Sequence, residues 1–218
     1  MNGIHQILFD FDYTLADSSE GIIRCVNYAL SQVGKKTAEP SAIRKMIGHS
    51  LEETFGQFVA DPNIIAQCKQ LFMEHADTGT MVDHTFMLAG VEETLEILHD
   101  NFYTLGIVST KRRSTIKDTL MQNQADDLFD VIIGYEDVKN LKPDPEGIFK
   151  AIDFMGGTID DTLYVGDSVI DALAARNARV KMVGVTSGTT DAKTLSQNGV
   201  NEIIKNLNEL LTVLQIEI

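Results

Sequence analysis

Cysteine, positive charge and long apolar runs are all scarce in this chain. The two cysteines, Cys25 and Cys68, lie far apart and in no metal-ligand spacing. That excludes a disulfide framework and a thiolate metal site, and leaves reduced, packed thiols as the expectation. Lysine and arginine number 18 against 32 acidic residues, a formal net charge of −14. Such a surface repels nucleic acid and anionic membranes, so neither is an expected partner. An anionic small substrate would need a local cation cluster or a metal to attract it. No apolar run is long enough to cross a bilayer, and no basic segment followed by an apolar stretch opens the chain as in a signal peptide. Repeats and low-complexity tracts are absent. A cytoplasmic monomer is expected.

What is present is ordinary globular material. With 218 residues, 44% of them hydrophobic and 23% charged, the chain can bury a sizeable core as one medium domain with an insertion, or as two small ones. Short apolar runs at 4–9, 104–108, 131–133, 162–165 and 181–185 read as buried strands. Helical patterns fall at 91–100, 114–122, 145–155, 169–177 and 207–214. Strand–helix alternation of this kind predicts a parallel sheet covered on both faces, an α/β Rossmann-like three-layer core. From residue 18 to about 83 the pattern is helical throughout: Ile22, Ile23, Val26, Ala29, Leu30 and Val33 recur at helical spacing, Gly34 is a stop, Pro40 suits a first turn, and Asp61-Pro62 suits a cap and first turn. The expectation is a core of residues 1–16 and 84–218 with an all-helical cap, 17–83, inserted after the first strand. That insertion point lies at the carboxyl end of the sheet, where open α/β sheets bind ligands.

The stretch QILFDFDYTLADS poses the chemical question. Its apolar run ends on Asp10 and Asp12, and two carboxylates at the end of a buried strand are costly unless compensated. Other strand ends carry polar groups too: Ser109-Thr110-Lys111 after 104–108, Lys142-Pro143-Asp144-Pro145 after 131–133, and Gly166-Asp167-Ser168 after 162–165, with Asp171 four residues beyond Asp167. In a parallel sheet these ends share one edge. Each group alone reads as a turn, a cap or a surface lysine; the joint arrangement carries the weight.

In order, DFDYTL, IVSTK, LKPDP and GDSVIDALAARNA resemble the four motifs of the haloacid dehalogenase-like hydrolases. The resemblance spans nearly the whole chain and is nearest to the helical-cap phosphatase branch, beside the phosphoglycolate phosphatases and the pyrophosphatases. It implies a Mg²⁺-dependent phosphatase acting on a small phosphorylated metabolite, a phosphoglycolate-like monoester or pyrophosphate. It implies Asp10 as nucleophile, forming an aspartyl-phosphate, and Asp12 as general acid and base. Mg²⁺ would be held by Asp10, the backbone carbonyl of Asp12, and Asp167, a hard cation on oxygen ligands. Ser109 would bond a phosphoryl oxygen and Lys142 would neutralise charge, its segment stiffened by Pro143 and Pro145. Thr14, Thr110 and Asp171 would support the site, Asp171 through water to the metal or by orienting Lys142. The metal and Lys142 together would offset the burial of the carboxylates.

Three positions depart from the pattern. Tyr13 and Arg179 stand where glycine is usual, and Thr110 where asparagine is frequent; a local backbone adjustment is expected at Arg179, and Tyr13 is expected to narrow the site or touch the cap. Tyr13, Lys111 and the cap residues His49, Arg24 and Arg44 are candidate substrate contacts, with solvated helix faces as the alternative for the cap arginines. The cap is expected to open and close about 14–17 and 83–89. Asp12 separates this reading from the dehalogenases, which need no metal and lack an acid at that position. A β-phosphoglucomutase-like phosphotransferase shares the core and cap type and stays open, as does a catalytically silent phosphate-binding or signalling module. Response-regulator receivers combine similar groups, but on a later strand and without a helical insertion after the first.

Overall fold

The computed structural model describes residues 3–216. The chain begins with β1 (Gln6–Phe9) and the short β2 (Ala16–Asp17), then runs through α1 (Ser19–Gln32), α2 (Pro40–Arg44), α3 (Leu51–Gly56), α4 (Pro62–His75), a π-turn over Ala76–Thr80 and α5 (Met81–Asp83). It returns through β3 (Phe86–Met87), which pairs with β2. Next come α6 (Val91–Asp100), β4 (Thr104–Val108), α7 (Arg113–Gln122), β5 (Val131–Ile133), α8 (Glu146–Met155) and β6 (Thr162–Gly166). The chain ends with α9 (Val169–Ala178), β7 (Lys181–Val185), α10 (Ala192–Gln197), β8 (Glu202–Ile204) and α11 (Glu209–Leu214). It divides into two units, Met1–Ala16 with Met87–Ile218, and Asp17–Phe86.

The larger unit is an α/β fold around a six-stranded sheet in the order β5-β4-β1-β6-β7-β8, with every neighbouring pair parallel. The period of two along each strand sorts side chains to two cores. Ile7 and Phe9 of β1, with Leu105, Ile107, Leu163 and Val165, pack against Leu95 and Leu98 of α6, Ile116 and Leu120 of α7, and Leu210 and Leu214 of α11. Leu8 and Tyr164 face the other way, onto Ile148 and Ala151 of α8 and Ala174 and Ala178 of α9. Each aliphatic or Phe side chain so buried contributes about 1.5–3 kcal/mol. Besides the short β2 and β3, two elements of this unit go beyond the sequence expectation. β8 has three residues, too few for a periodic signal, and exists through its ladder to β7, Val183 opposite Glu202. α10 is a six-residue helix started by the Asp191 side chain, which accepts from the Thr194 amide. The first strand begins at Gln6 rather than residue 4, although Ile4 is buried in the core beside it.

The smaller unit is helical. α1 buries Ile23, Val26, Ala29 and Leu30 with Ile43, Phe55 and Phe72, and both cysteines are packed here outside any disulfide. Gly34 ends α1 with φ 70°. Asp61 accepts from the Asn63 amide at 2.8 Å with Pro62 in the first turn of α4. Ser50 and Glu53 form a reciprocal capping box on α3. Among the described residues no helix is long and apolar enough to cross a membrane.

Candidate active site

Register determines what meets at the carboxyl edge of the sheet. Phe9 lies opposite Ile107 on one side and Val165 on the other. The three chains therefore leave the sheet abreast, and the segments beginning at Asp10, Ser109 and Asp167 emerge as neighbours. The loop from β5 to α8 adds Lys142. Its Nζ lies 2.6 Å from Asp171 Oδ1, 2.9 Å from Asp10 Oδ1 and 3.1 Å from the Tyr164 hydroxyl. The Asp10 contact is electrostatic: Oδ1 accepts no aligned hydrogen bond and is an orphaned buried side-chain oxygen among the described residues. A second pair stands beside it, Lys111 Nζ at 2.9 Å from Asp12 Oδ1, each side chain only 7% exposed. Thr14 Oγ1 lies 3.5 Å from Asp167 Oδ1, at the limit of a hydrogen bond. Ser109 is buried at the end of β4, its Oγ accepting from the Lys111 amide at 3.3 Å. Thr110 adjoins it, half-buried.

The charges explain the electrostatics. Burial pushes the Asp10 carboxyl up to about 6; Lys142 draws it back down, while the charges of Asp171 and Asp12 push it further up. Burial also holds Asp167 well above the ordinary carboxylate range, reinforced by Asp171 and Asp10. For Lys142, burial works against the charged form, but Asp10 and Asp171 outweigh it and hold the ammonium well above its usual value. Burial likewise raises the Tyr164 phenol.

Asp10, Asp167 and Asp171 bring carboxylate oxygens within 4.8 Å of one another, a grouping that could hold a metal ion. The three are not equivalent. Asp171 Oδ1 takes Lys142 and the Tyr164 hydroxyl, and Oδ2 takes the Ser168 amide at 3.1 Å and the Ser168 hydroxyl at 2.6 Å. With both oxygens engaged, Asp171 is a poor direct ligand and a firm anchor for Lys142. Asp10 and Asp167 remain as the donors. Four carboxylates, on Asp10, Asp12, Asp167 and Asp171, face two ammonium groups, on Lys111 and Lys142. The carboxyl groups outnumber the ammonium groups by two, and this formal surplus, with the orphaned oxygen on Asp10, fits a divalent cation on hard oxygen ligands.

Four participants were assigned no role from the sequence. Tyr164 reads as a core strand residue; its hydroxyl, 3.1 Å from the Val108 carbonyl, ties Lys142 and Asp171 to β4. A tyrosine inside an otherwise apolar strand needs a partner for its hydroxyl, and that was the available clue. Gly188, in the loop after β7, runs so close to Asp167 that a Cβ there would lie 1.9 Å from Oδ2. Its neighbour Ser187 donates its hydroxyl to the Tyr13 carbonyl. Glu146 accepts from the Lys139 and Asn140 amides, at 3.1 and 2.9 Å, and so pins the loop that carries Lys142.

Two of the three departures from the pattern share a backbone conformation. Tyr13 and Arg179 both have φ of 62°, the left-handed region where glycine is favoured. Arg179 takes up the left-handed conformation that closes α9, its amide reaching the Ala175 and Arg176 carbonyls, rather than moving the chain out of it. Tyr13 is buried, with its amide on the Ala16 carbonyl at 2.7 Å. The cap candidates lie in the helical unit. Arg24 is half-exposed and paired with Glu20 at 2.8 Å, Arg44 ends α2, and His49 precedes α3, its Nδ1 3.8 Å from Glu53.

Comparison with known proteins gives one consistent pattern. The family model described as haloacid dehalogenase-like hydrolase matches residues 7–185. The pyrophosphatase PpaX of Listeria welshimeri is 31% identical over 98% of this chain and 98% of its own. A solved structure from Bacteroides fragilis, described as haloacid dehalogenase-like, superposes with a TM-score of 0.91 at 39% identity, covering 95% of this chain and 99% of that one. A haloacid dehalogenase-like family hydrolase from Streptococcus pneumoniae gives 0.90 at 25% identity, covering 99% and 100%.

Proposed function

The chain belongs to the haloacid dehalogenase-like hydrolases, and from that premise we propose that it is a Mg²⁺-dependent phosphatase of a small phosphorylated metabolite, a phosphoglycolate-like monoester or pyrophosphate. The observation that carries this reading is the convergence at one sheet edge of Asp10, Asp12 and Asp167 with Lys142 held 2.9 Å from Asp10. Phosphoryl transfer needs an in-line nucleophile and fixed positive charge around the phosphoryl oxygens, and this edge offers both. The pyrophosphatase likeness, which runs the length of the chain, supports pyrophosphate among the substrates. A cytoplasmic location is part of the same reading.

In the first step an Asp10 carboxylate oxygen attacks phosphorus and the bond from phosphorus to the leaving oxygen breaks. Asp12 gives that oxygen a proton. In the second step water attacks the aspartyl-phosphate, Asp12 takes the proton, and the bond to Asp10 breaks, releasing phosphate and restoring both carboxyls. Lys142 balances charge on Asp10 and the phosphoryl group, and Asp171 with Tyr164 keeps it aimed. Ser109 offers its hydroxyl to a phosphoryl oxygen. Asp10, Asp167 and the Asp12 carbonyl would hold Mg²⁺, which when bound would neutralise phosphoryl charge and keep Asp10 ionised. The helical unit would govern access and choice of substrate, with Arg24, Arg44 and His49 as its candidate contacts.

The test is phosphate release from pyrophosphate, phosphoglycolate and p-nitrophenyl phosphate, each with Mg²⁺ and with EDTA. The expected result is release that requires the metal and is fastest on one of the first two. No release from any of the three with Mg²⁺ present would overturn the reading.

A further inference from the structure

Each of the two aspartates at the end of β1 has its own buried lysine. Lys142 is fully engaged by Asp10, Asp171 and Tyr164. Asp12 is served instead by Lys111, from the neighbouring strand end. Lysine seldom buries its charge without a specific partner, and the backbone around Lys111 is clamped to present it. Its amide donates to Ser109 Oγ at 3.3 Å and its carbonyl accepts from the Tyr135 amide at 2.9 Å. Two residues on, the Arg113 amide donates to Glu136 at 3.0 Å and its guanidinium lies 2.6 Å from Asp137. Gly134 makes this closeness available, since a Cβ there would lie 2.4 Å from the Arg113 amide nitrogen.

A group that transfers a proton in the transition state must be held in position, because small misplacements cost large factors in rate. We propose that Lys111 is a positioning residue: its ammonium donates to Asp12 Oδ1 at 2.9 Å and so fixes the carboxyl with Oδ2, the oxygen that carries the transferred proton, turned toward the leaving oxygen. The proposal rests on the phosphatase reading above and adds to it a lysine that acts on the acid rather than on the phosphate.

Leaving groups separate these two roles. An alkyl phosphate needs a proton on its departing oxygen, whereas p-nitrophenolate leaves without one. The ratio kcat/KM reports only the steps up to loss of the leaving group, so the second use of Asp12 does not enter. Lys111→Met is expected to lower kcat/KM on an alkyl phosphate by about 10²-fold and on p-nitrophenyl phosphate by less than about tenfold, the pattern of a lost general acid. Asp12→Asn should show the same selectivity, Lys111→Arg should recover most of the alkyl-ester rate, and inhibition by inorganic phosphate should change little. Equal losses on both esters, or a loss matched by weaker inhibition by inorganic phosphate, would make Lys111 a phosphate-binding residue and overturn the proposal. Unchanged kinetics would overturn it too. If Lys111→Met does not fold, Lys111→Gln is read against Lys111→Arg by the same ratio. A wild-type protein silent on every ester with Mg²⁺ removes the phosphatase reading first, and this proposal with it.

Discussion

Asp10 combines three properties that normally conflict: it is buried, the proposed mechanism requires its charged form, and one of its oxygens lacks an aligned hydrogen-bond partner. Replacing it by asparagine keeps the shape and removes the proposed nucleophile. Turnover of Asp10→Asn is expected to fall by at least about 10³-fold while circular dichroism stays native; activity near wild type would remove the nucleophile assignment. The same residue sets a stability trend. Its carboxyl is raised from 3.8 to about 6 in the metal-free fold, so between those values the native state holds a proton that the unfolded chain releases. The stability it contributes is complete below 3.8 and is lost as pH rises through about 6. In EDTA, the stability difference between wild type and Asp10→Asn should therefore shift against wild type across that window. A flat difference in urea titrations would contradict the burial argument.

At the scale of elements, loops after strands do the aiming. The β7–α10 loop reaches Asp167 only because residue 188 has no side chain. Gly188→Ala should push the loop or the carboxylate aside and weaken the apparent Mg²⁺ affinity about 10–100-fold, as loss of a supporting contact at a metal site does; a Mg²⁺ titration of activity reads this directly. The end of α9 gives the opposite expectation. Arg179 occupies a left-handed position at the opposite end of α9 from Asp171, and a glycine there relieves the strain at a helix terminus. Arg179→Gly should stabilise the fold by about 0.5–1 kcal/mol in denaturant titration, with kcat unchanged. Much of this element layer was legible beforehand. Alternating apolar runs marked five of the six sheet strands, and Asp61-Pro62 marked a helix start. β8 was not legible, because three residues at a sheet edge take their conformation from the neighbouring strand rather than from a pattern of their own.

For the whole molecule, the acidic surplus is both general and local. The net charge of −14 repeats, in coarse form, the excess of two negative charges at the carboxyl edge of the sheet. A divalent cation that binds the folded state and not the unfolded one stabilises it by mass action, about 2.7 kcal/mol at a hundred times Kd. Mg²⁺ should accordingly raise the melting temperature at pH 7.5. It should do so much less near pH 5, where protons on Asp10 and Asp167 compete for the same oxygens. Equal effects at both pH values would mean that the ion binds elsewhere on the acidic surface.

The sequence by itself determined the α/β class, the helical stretch after the first strand, and the residues from which a site could be built. Periodicity and strand-end chemistry are local properties, and a linear string records them. The tertiary structure alone decided the pairing: Lys142 with Asp10 and Asp171, Lys111 with Asp12, Tyr164 beneath the first pair and Gly188 against Asp167. Those partners stand 21 to 132 residues apart in the chain, and only strand order and parallel register bring them into contact. Which lysine neutralises which carboxylate is a matter of a few ångströms, a scale that composition and spacing do not reach.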